Sequence, residues 1–157
     1  MSILRASVRE SDPEEIVTSH GGGMTAVIER PSRVKMRYAW VIPGLALAFY
    51  ANALAAEHGL GLVPVLLFGI APHVTVLAGI GQPRQRGQLA PRAVPLFNAM
   101  HHPIAPLAFL ALAAVGVLPA FWLVGALAWL GHIAIDLAMG DGLRTAEGWR
   151  RPGWSAR

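Results

Sequence analysis

The sequence predicts an all-α integral membrane protein, a four-helix bundle built from two antiparallel helical hairpins. Apolar residues make up 54% of the chain and charged residues only 14%, against about 25% charged residues in a typical soluble domain. Four apolar segments follow one another, each about as long as a helix must be to cross roughly 30 Å of hydrocarbon. The lysines and arginines fall in the flanks of these segments in a consistent pattern. Together these observations predict four spans.

Three regions follow from this pattern. Residues 1–37 are polar, with an acidic patch and a Gly21-Gly22-Gly23 run, which is typical of a disordered tail. Residues 38–143 form the predicted transmembrane domain, and residues 144–157 form a basic tail. We expect both tails to lie in the cytoplasm.

The predicted spans, in chain order, are 38–56, 59–80, 94–117 and 119–139. Short breaks at 57–59 and 116–119 predict a tight turn within each hairpin. The longer polar break at 81–93 predicts a loop between the hairpins. Prolines inside the spans are compatible with helix, because membrane helices tolerate them where neighbours satisfy the freed carbonyls. Glycines at 140 and 142 mark the end of the fourth helix.

The positive charges predict the orientation. Neither short turn contains a lysine or arginine, whereas the two tails and the middle loop contain several. Cytoplasmic loops are enriched in these residues, so both termini and the middle loop are predicted to be cytoplasmic, in a multi-pass protein of the bacterial inner membrane. Charges in such flanks indicate topology rather than a phosphate-binding face. We therefore expect the lipid bilayer as a partner and no nucleic acid, and a homo-oligomer is left open.

Polar side chains inside the spans form the candidate site. His73, His101 and His132 come from three different spans. Counted from the ends of their spans, they lie at one level, roughly 10–12 Å below the inner surface. Asn98 and Asp136 lie one turn nearer the cytoplasm. Because an ionisable residue in lipid needs a partner, this polar cluster is the predicted functional site.

Three interpretations of the polar cluster stay open. The groups could hydrogen-bond between helices and fix their packing, which makes the protein structural or binding in role. Alternatively, His101, His132 and Asp136 could bind a divalent metal such as zinc, in a membrane-embedded hydrolase. Third, the histidines could serve proton or small-ligand transport by an oligomer. The chain contains no cysteine, which excludes a thiol nucleophile and thiolate metal ligands, but whether it is an enzyme is left open.

Three motifs carry a family resemblance: an aromatic-Asn-x-x-His run with a later proline at 97–106, Trp-x-x-His-x3-Asp at 129–136, and Gly-x-Gly-Leu-basic at 140–144. On these motifs the chain resembles an uncharacterised bacterial membrane family, domain of unknown function 4260. The chain departs from that family's pattern at His73, Leu137 and Asp141. The resemblance implies the four-helix layout and the same site residues, and it implies no activity.

Overall fold

The computed structural model describes residues 38–151; the predictions for residues 1–37 and 152–157 lie outside the described residues. Within 38–151 every regular element is a helix, apart from one isolated β-bridge. The α-helices are α1 (Val41–Glu57), α2 (Val63–Val74), α3 (Val94–Met100), α4 (Ile104–Ala114) and α5 (Ala120–Met139). Short 3₁₀ helices cover Thr75–Gly79 and Pro91–Ala93. The all-α prediction is confirmed, and the helix bounds agree closely with the apolar segments.

The last helix, α5, is the centre of the fold. Helices α1, α2 and α4 all pack against it, and 12 of its 20 residues are buried. Small residues let the neighbours approach closely: a Cβ added at Gly131 would lie 3.1 Å from the carbonyl oxygen of Gly44 on α1. The helix ends at Gly140, whose φ of +79° is in the left-handed region. This termination confirms the predicted role of that glycine.

The outer helices carry apolar side chains on their outward faces. On α1, Ile42 is 75% exposed and Phe49 is 78% exposed. Two helical stretches, Pro91–Ala114 and Ala120–Met139, are long and apolar enough to cross a membrane, while Val41–Glu57 and Val63–Gly79 are apolar but shorter. By length and composition alone, the first two of these stretches suggest a membrane protein.

The third predicted span differs from the prediction, because the structure divides it into α3 and α4 with a break at residues 101–103. Pro103 and Pro106 have no N–H to donate to the preceding turn, so the helical hydrogen bonds cannot continue through this point. The indole Nε1 of Trp129 on α5 donates to the carbonyl oxygen of Met100 at 2.6 Å. A tertiary contact therefore satisfies a carbonyl at the break, and the break places His101 at the end of α3.

Residues 141–151, the C-terminal segment, fold back across one end of the helices. The backbone N–H of Leu89 donates to the carbonyl of Gly148 at 2.9 Å, and the Gln88 side chain donates to the carbonyl of Glu147 at 2.6 Å. Leu89 and Gln88 belong to the middle loop (residues 81–93). The two regions that contain all six arginines of residues 38–151 therefore lie at the same end of the helices.

Candidate metal centre

Three donor atoms from two regions of the chain meet beside α5. His132 and Asp136 lie one helical turn apart on α5, and His101 comes from the break after α3. The Oδ2 atom of Asp136 is 3.0 Å from His101 Nε2 and 3.2 Å from His132 Nε2. The two Nε2 atoms are 3.4 Å apart. These three atoms form a nearly equilateral triangle, which we call the donor triangle.

The size of the donor triangle suits a small divalent ion. A tetrahedral zinc ion with bonds of about 2.0–2.1 Å holds its nitrogen and oxygen ligands about 3.3 Å apart. The three measured separations, 3.0, 3.2 and 3.4 Å, bracket that value. Imidazole and carboxylate are also ligand types that zinc accepts. The spacing and ligand types of His101, His132 and Asp136 are thus compatible with such an ion.

The orientation of the His101 ring is set by its other nitrogen. Nδ1 lies 2.8 Å from the carbonyl oxygen of Phe97, and because a carbonyl can only accept, Nδ1 carries the hydrogen. The Phe97 ring stacks on the imidazole at 3.8 Å between centroids. Metal-binding histidines commonly donate their second nitrogen to a backbone carbonyl, which fixes the tautomer that points Nε2 at the metal. Phe97 thus supplies both the carbonyl and the ring that position His101.

Two residues of the donor triangle are buried, so the charge of the carboxylate has to be compensated within the protein. His101 and Asp136 are each only 4% exposed. A buried carboxylate costs several kcal/mol unless a positive group or several hydrogen-bond donors compensate it. Because Nδ1 of His101 already carries one hydrogen, Nε2 faces Asp136 either as a lone pair or as the second N–H of an imidazolium. In the first case a metal ion, or the proton of a protonated Asp136, must lie between the two groups; in the second the pair is an ion pair.

His73 joins this group from α2. Its ring meets the His132 ring edge-on, with centroids 4.6 Å apart. One ligand atom each from His73, His132 and Asp136 lies within 4.8 Å of the others. The sequence placed His73 in the polar cluster but not among the metal ligands. His73, His132 and Asp136 therefore form a His-His-Asp group that could hold a metal ion, and His73 is a ligand candidate that the predicted metal set lacked.

Asn98, the fifth residue of the polar cluster, has a separate role. Its amide nitrogen donates to the carbonyl of Arg144 at 2.9 Å, and its amide oxygen accepts from the backbone N–H of Arg144 at 2.8 Å. Both ends of the side-chain amide thus bind the backbone of the C-terminal segment. The structure brings together four of the five predicted residues and assigns Asn98 to holding this segment in place.

A cavity of about 310 Å³ adjoins the site. Its walls include His73 and Asp136 from the site and two arginines of the C-terminal segment, Arg144 and Arg150. Sequence reasoning missed these arginines as functional residues. The sequence did contain a signal for Arg144, because this arginine is the last residue of the Gly-x-Gly-Leu-basic motif at 140–144. For Arg150 the sequence offered none, because only the fold-back of the segment brings it to the cavity.

No family model, curated protein or solved structure matches the chain. The resemblance based on the three motifs therefore stays a prediction. The role of this site has to be inferred from its geometry and chemistry.

Proposed function

We propose that this protein is a multi-pass inner-membrane protein that binds one divalent cation, with zinc the best fit, and acts as a metal-dependent hydrolase. One observation carries the proposal: His101, His132 and Asp136 direct three donor atoms to separations of 3.0–3.4 Å, while a backbone carbonyl fixes the tautomer of His101. The proposal is supported because a metal site needs such donor atoms around the ion and such an outer hydrogen bond to orient a ligand.

The membrane part of the proposal rests on the surface of the helices and the position of the charges. Large apolar side chains cover the outward faces, including Leu66 and Ile70 on α2 and Leu107 on α4. A soluble monomer rarely exposes so much contiguous apolar surface. The arginines of the middle loop and of the C-terminal segment lie at one end, which supports four spans with a cytoplasmic C-terminus.

In the proposed reaction the chain contributes ligands and a shielded pocket. His101, His132 and Asp136 would hold the ion, and His73 lies at the wall of the cavity next to them. A bound divalent ion supplies a polarised water that is nucleophilic at neutral pH. The hydrogen bond and ring stack from Phe97 keep the His101 imidazole in one orientation. Substrate would enter through the cavity, from the cytoplasmic end.

A structural role is the second candidate. The same contacts join the end of α3 to α5, and the His101–Asp136 distance of 3.0 Å also suits an imidazolium–carboxylate pair. Interhelical hydrogen bonds in membranes contribute only about 0.6 kcal/mol each on average. On this alternative the polar cluster fixes packing and binds no metal.

Metal content separates the two candidates. Protein purified in detergent and equilibrated with zinc is expected to contain one zinc per chain by elemental analysis, and His132→Ala is expected to lose it because one of three ligands is gone. His58→Ala is the matched control, since His58 lies exposed in the turn after α1, and it should retain the metal. Folded wild-type protein that takes up no metal would leave only the structural role.

Cysteine labelling tests the orientation. The chain has no cysteine, so a single introduced thiol gives an unambiguous signal. In intact cells, His58→Cys in the first turn should react with a membrane-impermeant maleimide, whereas Arg86→Cys in the middle loop should react only after the cells are opened. Equal labelling of both variants in intact cells would exclude the proposed topology.

A further inference from the structure

The cavity beside the donor triangle is lined by two chemically different groups of residues. His73 and the buried Asp136 come from the proposed metal centre. The C-terminal segment contributes Asp141, Arg144 and Arg150, which we call the basic end; the Arg150 side chain is 54% exposed. The cavity is therefore lined both by residues of the proposed metal centre and by two arginines.

The basic end has excess positive charge. Both guanidinium groups bind the same oxygen, Oδ1 of Asp141, at 2.8 Å from Arg144 and 2.7 Å from Arg150. Two cations that share one carboxylate leave one positive charge unpaired at the basic end; the other carboxylate in the cavity lining, Asp136, is the group that would bind the metal ion. In a partly enclosed site this charge attracts an anion more strongly than it would in bulk water.

One donor of the Arg144 guanidinium lacks an acceptor. Its Nε atom is buried and has no hydrogen-bond partner among the described residues. Burial lowers the pKa of the Arg144 guanidinium from its ordinary value, because removal from water disfavours the charged form. A buried donor left without an acceptor is destabilising, because it has lost its hydrogen bonds to water and gained none. An oxyanion in the cavity would satisfy a guanidinium that the protein leaves incompletely paired.

We propose that this cavity binds the phosphate group of a small ligand, with Arg144 and Arg150 as its donors and the metal centre at its other side. The guanidinium fork matches the oxygens of phosphate. A divalent ion bound to Asp136 would leave one net positive charge at the metal centre. With the one positive charge of the basic end, the cavity would carry two positive charges, which match a phosphate dianion. A volume of about 310 Å³ is at the lower end of the range for small-molecule sites. The inference rests on the proposed metal centre and names the substrate class of that same site.

Calorimetric titration with inorganic phosphate tests this subsite on zinc-loaded protein in detergent. Arg150→Gln should weaken phosphate binding about tenfold or more, because it removes a charge-assisted hydrogen bond. Because the Arg150 side chain is 54% exposed, this variant should fold as the wild type does. Arg84→Gln removes the same charge from the exposed part of the middle loop, away from the cavity walls, and should bind phosphate as the wild type does. Absence of phosphate binding, or equal losses in both variants, would overturn the subsite.

The same titrations separate this inference from the proposed function. Stoichiometric zinc binding without phosphate binding would overturn the phosphate subsite and leave the metal centre standing. Phosphate binding that depends on Arg150 in a protein that takes up no zinc would overturn the metal centre and leave the arginine subsite.

The phosphate could belong to a lipid headgroup or to a soluble ester, and the lipid environment distinguishes the two sources. The titration is repeated in nanodiscs of phosphatidylcholine alone and of phosphatidylcholine with phosphatidic acid. If the natural ligand is a lipid, phosphatidic acid should compete with inorganic phosphate for the cavity. The apparent affinity for inorganic phosphate should then fall in the wild type but not in Arg150→Gln. For a soluble ligand, the affinity should be the same in both nanodiscs and should still fall with Arg150→Gln.

Discussion

Asp136→Asn is expected to lower the affinity of the protein for zinc by more than about 100-fold while leaving its helical content unchanged. Asparagine keeps the size of the side chain but removes the negative charge that both Nε2 atoms approach at 3.0 and 3.2 Å. Loss of an outer hydrogen-bond partner of a metal ligand already costs about 10–100-fold in affinity, so loss of a ligand should cost more. Competition with a zinc-binding dye measures the change.

Glu57→Gln is the matched control for this substitution. It is also a carboxylate-to-amide change, but at an exposed residue at the end of α1, so it should leave zinc affinity unchanged. If the polar cluster has only a structural role, the wild type should bind no zinc, and Asp136→Asn should change thermal stability alone. Unchanged zinc affinity in Asp136→Asn would contradict the assignment of this carboxylate as a ligand.

Gly131→Val is expected to destabilise the fold by about 1–3 kcal/mol or more, the range for overpacking a close-packed site. A Cβ at this position would lie 3.1 Å from Gly44 O and 3.3 Å from Ala48 N. Both are backbone atoms, which cannot move aside as a flexible side chain could. The crossing of α1 and α5 would therefore have to open. Because His132 is the next residue, zinc affinity should fall together with stability.

Unfolding in a denaturing detergent, followed by circular dichroism, measures the loss of stability. Gly69→Ala is the control, because a Cβ there meets no atom within 4 Å and alanine favours helix over glycine by up to about 1 kcal/mol. It should be as stable as the wild type or slightly more so. If Gly131→Val unfolded at the same detergent concentration as Gly69→Ala, the α1–α5 crossing would not be the tight contact described.

The helices were predictable because their signals are local. The last span was predicted at 119–139 and the helix is Ala120–Met139, since an apolar run bounded by a proline and a glycine leaves little choice of ends. The break at residues 101–103 was not predicted, although Pro103 and Pro106 were visible. Prolines are tolerated in many membrane helices. Here the carbonyl of Met100 has its partner in Trp129, which is distant in sequence.

The sequence by itself predicted the order and approximate bounds of the apolar segments and a common level for His73, His101 and His132, because position along a helix follows from counting residues at about 1.5 Å each. Only the tertiary structure decided that the donor atoms of His101, His132 and Asp136 converge to within 3.4 Å of one another. It also decided that Asn98 binds the C-terminal segment instead, and that Arg150 reaches the cavity. The direction in which a side chain leaves its helix depends on how that helix rotates and packs against its neighbours, and those contacts join residues far apart in the chain.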